Sequence, residues 1–131
     1  MMTQMKKMIT NFFISVEPFE VHKIAFEFED KPGLYKKRPV IVIASKQFSS
    51  VTLVLSVKVT SHAARKNYPG EVELLDWKEA GLQKPSTARC SKLARVPIDQ
   101  FTEKTLYGRL SHRDSRRIYE ALLNIGVLKE L

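Results

Sequence analysis

The sequence carries a single cysteine, Cys90. One thiol cannot form an internal disulfide, and without a Cys-x-x-Cys pair or clustered Cys/His spacing there is no zinc signature, so no metal or cofactor is expected. A reducing cytoplasm is the expected setting. Long apolar runs are missing too: no segment approaches the roughly 18 residues of a membrane span, so a soluble chain with no membrane partner is expected. In "MMTQMKKMITNFFISV" the uninterrupted apolar stretch, Phe12 to Ile14, falls short of the roughly 7 residues of a signal-peptide core. Residues 1–20 are therefore read as an N-terminal extension and 21–131 as the folded domain. No internal repeat or low-complexity tract is present.

Acidic residues are few relative to basic ones, 14 against 22, which leaves a net charge of +8. The excess is concentrated: between Lys84 and Arg117, nine cations face three acids. Such a field attracts polyanions, of which nucleic acid is the usual one, although basic residues also simply keep small domains in solution. At 131 residues one domain can bury about two thirds of the surface its unfolded chain exposes, enough for a core without staples.

What is present is strand patterning. Ile24, Phe26 and Phe28 alternate with Ala25 and Glu27, a half-buried strand. "DKPG" (Asp30 to Gly33) reads as a turn, with proline fixing one φ and glycine accepting a positive one. Val40 to Ala44 is a continuous apolar run, as in a central strand covered on both faces. In "VTLVLSVKVT", Val51, Leu53, Leu55, Val57 and Val59 share one face, read as core, while Ser56, Lys58 and Thr60 are expected side by side at the surface.

"YPGE" (Tyr68 to Glu71) is a further turn before a short strand at Val72 to Leu75, and "DWKEAG" predicts one helical turn capped by Asp76 and stopped by Gly81. "STARCSKLARV" resumes alternation, with Ala88 and Cys90 on one side and Thr87, Arg89 and Ser91 on the other. Ser111 then caps a helix whose Ile118, Ala121, Leu122 and Ile125 form one apolar stripe, ended by Gly126. Short strands, tight turns and one terminal helix imply a mainly β fold, a small, partly open barrel.

Four pieces in order, "FEFEDKPGLYKKRPVIVIAS", "LSVKVTSH", "GLQKPSTARCSKLARV" and "YGRLSHRDSRRIYEALL", resemble the MazF/PemK toxins of bacterial toxin–antitoxin systems. The resemblance runs from about Ile24 to about Leu123. It implies an SH3-like, partly open barrel of five to seven short strands with a C-terminal helix. It also implies a homodimer, a cognate antitoxin partner, and cleavage of single-stranded RNA without a metal. The arginine of the family's Arg-Pro motif falls on Arg38, the threonine closing its long middle strand on Thr60 with Ser61 beside it, and the arginine of its Val-x-Arg-Cys-like strand on Arg89.

The sequence also departs from the family pattern. Val21-His22-Lys23 stands where many members have Gly-Asp, Ser91 where some carry an aspartate, and the Pro32-Gly33 turn where some carry a histidine.

Metal-free RNA cleavage needs a proton acceptor, a proton donor and positive charge around a pentacoordinate phosphorus. Arginine suits the charge role because its planar fork holds two phosphate oxygens and stays protonated. The resemblance thus assigns the phosphate clamp to Arg38 and Arg89 and substrate alignment to Thr60, with Lys36, Lys37, Lys58, Ser61 and Ser91 binding the substrate. The base stays open: His62 is the nearest candidate by residue type, with Glu29 and Asp30 the carboxylate alternatives. Tyr35 and Phe48 are the stacking candidates. A catalytically silent barrel that binds nucleic acid or a protein without cutting is the alternative, and a purely structural interaction domain is a third.

Overall fold

In a computed structural model, residues 16 to 127 are described. They form one antiparallel sheet in the strand order β4-β5-β3-β2-β1-β6, followed by one helix. The strands are β1 (Glu20–Phe28), β2 (Lys31–Phe48), β3 (Val51–Thr60), β4 (Glu71–Glu73), β5 (Thr87–Pro97) and β6 (Leu106–Arg109), and the helix is α1 (His112–Ile125). The sheet curls into the expected partly open barrel, with β4 and β6 at its two edges. Residues 1–15 of the expected extension lie outside the described residues. Val16 and Phe19 pack on the core, and Phe19 bonds through its backbone to Val42 and Leu110.

Cross-strand register explains the two cores. Val21 stands opposite Ile41, and Ile41 opposite Val57, so these side chains project to one face. There Cys90, Ala88 and Val59 join them under Ile118 and Leu122 of α1. The helix is placed as its stripe requires: Ser111 caps it by accepting from the Asp114 amide at 3.2 Å, and Gly126 ends it with φ +78°. The opposite face carries Ile24, Val40, Val42, Val54, Val96 and Phe101.

Three local expectations are corrected. β3 does not have a single core face: Val54 and Ser56 are fully buried, because the curled sheet closes over the even-numbered side. Val51, on the other side, is exposed. The chain reverses at Glu29–Asp30 rather than across Pro32-Gly33. Lys31 already pairs with Phe28, and Pro32 to Leu34 bulge out before Tyr35 meets Glu27. Gly33 takes φ +86° there and its amide donates to Glu27 Oε1 at 2.8 Å.

In "DWKEAG" one turn does form, with the Ala80 amide donating to the Asp76 carbonyl at 3.1 Å and Gly81 at φ +85°. The Asp76 carboxylate does not cap it. It accepts from Ser111 Oγ at 2.6 Å and Arg113 Nε at 2.7 Å instead. The four-residue β6 is held at the sheet edge by pairing with β1.

Candidate active site

One row of register partners runs across the sheet: His22 opposite Val40, Val40 opposite Lys58, Lys58 opposite Arg89, and Arg89 opposite Glu71. Paired residues share a face, so this row is buried at His22 and Val40 and becomes cationic toward β4. The neighbouring positions on the same face are Arg38 on β2, opposite Ile24, and Thr60 on β3, opposite Thr87. A groove of about 350 Å³ opens there, lined by Arg38, Thr60, Arg89, Lys58, His62 and Glu29 among others. Residues from four separate stretches of sequence are thereby brought together.

Arg38 is exposed and makes no ion pair among the described residues. Lys58 is half-buried, its ammonium 4.9 Å from the centre of the Phe26 ring, a cation–π contact that holds the side chain along the groove floor. Arg89 is the most constrained cation. Its Nε donates to Glu71 Oε2 at 3.2 Å, and that carboxylate also accepts from Arg65 Nη2 at 3.0 Å. Hydrogen bonding from Arg65, aided by both positive charges, pulls the Glu71 carboxyl below its ordinary pKa despite its burial. Glu71 therefore stays an anion, with one edge of Arg89 fixed against it.

Thr60 closes β3, and its Oγ1 accepts from the His62 amide at 3.4 Å. The His62 carbonyl in turn accepts from Thr87 Oγ1 at 2.6 Å. These two bonds pin the first residues after β3, so that the exposed His62 side chain stays beside the groove. Glu29 lies on the groove rim at the β1–β2 reversal. Lys36 and Lys37 are both exposed; Lys36 lines this groove, while Lys37 and Ser61 line a hollow next to it.

Ser91 does not join them. The β3–β5 register jumps from Val57 opposite Leu93 to Lys58 opposite Arg89, so Cys90 to Lys92 form a bulge. The bulge breaks the alternation that would have put Ser91 beside Arg89. Tyr35 is exposed near Glu27, its register partner. Phe48 sits at the far hairpin tip, opposite Val51, away from the groove.

Sequence reasoning missed Glu71 and Phe26 as site residues. Glu71 sits in a three-residue strand too short for periodicity, and Phe26 reads as core until the lysine opposite is known. A wider hollow of about 650 Å³ lies beside Phe19 and the outer face of α1. Its Arg113 is committed to Asp76, and it contains none of Arg38, Thr60 and Arg89.

Comparison with known proteins agrees with this geometry. Residues 17–125 match the family described as PemK-like, MazF-like toxin of type II toxin-antitoxin system. Among solved structures, the Mycobacterium tuberculosis toxin MazF-mt6 superposes with a TM-score of 0.55 at 21% identity, covering 82% of this chain and 94% of that one. At that identity the likeness speaks for the fold. A sequence search of curated proteins returns no match.

Proposed function

The chain belongs to the PemK-like, MazF-like toxins of type II toxin–antitoxin systems, and from that premise we propose that it is an endoribonuclease cleaving single-stranded RNA without a metal. The observation that carries the reading is the convergence of Arg38, Thr60 and Arg89 on one groove together with two proton-transfer candidates, His62 and Glu29. In this reading Arg38 and Arg89 hold the non-bridging oxygens of the scissile phosphate. Thr60 Oγ1 donates to one of these oxygens and keeps the phosphorus in line with the attacking group.

The attacking group is the substrate's own 2′-hydroxyl. Its proton passes to the base, the 2′-oxygen bonds to phosphorus, and the bond from phosphorus to the 5′-oxygen breaks, that oxygen taking up a proton as it leaves. The products are a 2′,3′-cyclic phosphate and a 5′-hydroxyl. Positioned charge of this kind is worth about 10²–10³ in rate and each proton transfer about 10²–10⁴. Lys36, Lys37 and Lys58 extend the positive field along the strand. The cytoplasmic setting, the homodimer and the cognate antitoxin that the family membership brings with it belong to the same proposal, the antitoxin being expected to cover this basic groove.

A second reading has one observation in its favour. Glu71 already occupies the Nε edge of Arg89, which suits a barrel that binds RNA without cutting it. Incubating the protein with a long single-stranded RNA in excess chelator, and mapping the product ends, separates the two. Discrete fragments with cyclic-phosphate and 5′-hydroxyl ends support the nuclease. Intact RNA bound in a salt-sensitive way supports the silent barrel.

A further inference from the structure

A second hollow, about 240 Å³, adjoins the groove and shares Lys36, Arg38, Val59 and Thr60 with it. Its own lining adds Lys23, Lys37, Gln83 and Lys84 and contains no carboxylate. Lys23 stands opposite Pro39 in the β1–β2 ladder, so Lys23 and Lys37 project from the face opposite Arg38. β3 ends at Thr60 and its ladder with β2 stops at Val40 opposite Lys58, while β2 continues back to Lys31, which leaves β2 without a β3 neighbour beyond Arg38. The volume falls below the roughly 300–1,000 Å³ of pockets that enclose a whole small ligand, and it suits one unit of a polymer instead.

We infer that this hollow receives the RNA on the 3′ side of the cut, an assignment that rests on the nuclease reading above. In-line chemistry fixes the direction of the chain through the site. In an in-line displacement the attacking 2′-oxygen and the departing 5′-oxygen lie on opposite sides of the phosphorus. The phosphate sits at Arg38 and Thr60, the residues common to both hollows. Of the base candidates His62, Glu29 and Asp30, the first two line the groove and none lines the second hollow. The nucleotide supplying the 2′-hydroxyl therefore lies in the groove, and the segment beginning at the departing 5′-oxygen lies in the second hollow.

There Lys23 and Lys84 neutralise the next phosphates, and the exposed Gln83 amide offers both donors and an acceptor to a base edge. Ser86 Oγ donates to the Lys84 carbonyl at 2.8 Å, which ties Lys84's loop to the base of the hollow. Lys23 keeps its ammonium 4.6 Å from the centre of the Tyr107 ring, which holds it at the wall rather than free in solvent.

The test uses the full chain and two sets of RNAs around a mapped cut, one lengthened only on the 3′ side and one only on the 5′ side. Wild type should gain kcat/KM with each extension. A Lys23→Ala, Lys84→Ala variant should lose the 3′ gain, keep the 5′ gain, and show a salt slope of log kcat/KM on the 3′-extended RNA lower by about 0.7 per lysine. Equal loss of both gains, or loss of neither, overturns the assignment while leaving the nuclease reading intact. No cutting of any RNA by wild type overturns both.

Discussion

Lys58 and Arg89 stand directly opposite each other across the β3–β5 ladder, two cations in a position where like charges destabilise a sheet. The arrangement persists because each has a separate counterweight. Lys58 lies over the Phe26 ring at 4.9 Å, and Arg89 is held at 3.2 Å by Glu71. A pair that works against folding, flanked by an Arg38 that has no ion-pair partner among the described residues, fits the proposed binding of a phosphate between the cations.

Glu71 is accordingly a positioning residue for Arg89. Glu71→Gln keeps the shape and removes the charge, releasing Arg89 from its fixed direction. Cleavage should slow by up to about 10²-fold in kcat, the scale of a misplaced catalytic group. KM should stay level or fall, because the groove gains net positive charge. Steady-state kinetics with a folding check by thermal melt decides it; an unchanged kcat would make Glu71 purely structural.

Acid should unfold the protein through the cluster joining α1 to the turn after β4. Hydrogen bonds from Arg113 and Ser111 pull the Asp76 carboxyl from 3.8 to about 2. A carboxyl whose folded pKa lies below its unfolded one stabilises the fold at every pH above the unfolded value and loses that contribution as pH falls through the folded one. Asp76 should therefore contribute fully above about pH 4, with the loss spread from there down to about pH 2. In melts against pH, Asp76→Asn should lower the neutral-pH melting temperature and flatten the acid limb. An Asn variant with the wild-type acid profile would contradict this assignment.

Gly81 ties the turn after β4 to the edge strand β6. A Cβ there would come within 2.1 Å of the Tyr107 carbonyl oxygen, and φ is +85°. The left-handed conformation alone costs a non-glycine residue about 1–3 kcal/mol, so Gly81→Ala should destabilise by at least that much in a denaturant titration. Gly33→Ala has the same sign of φ, +86°, but meets nothing within 4 Å, and should cost less. Equal losses would show that the close approach to β6 carries no weight.

Much of this architecture is legible in the sequence because apolar periodicity reports one-sided burial directly. The helix from its Ser111 cap to Gly126 and the central strand at Val40 to Ala44 emerge as their patterns require. Periodicity fails where the sheet curls or bulges. Ser56 reads as surface because alternation assumes one wet face, and the curled sheet has none at that point. Ser91 reads as a neighbour of Arg89 because nothing in "RCSKL" announces three inserted residues.

The site divides in the same way. Arg38, Thr60 and Arg89 are reached by motif order, whereas Glu71, the anion that directs Arg89, becomes visible only through cross-strand register. Neither order nor spacing in the chain carries that information.

In the proposed nuclease Arg38, exposed and without an ion-pair partner among the described residues, acts on the scissile phosphate. Single-turnover cleavage of a single-stranded RNA in excess chelator, comparing wild type with Arg38→Ala, tests it most directly. Wild type should give discrete fragments and the variant should cut about 10²–10³-fold more slowly, with an unchanged melting temperature. A variant that cuts at the wild-type rate, or a wild type that leaves the RNA whole, would contradict it.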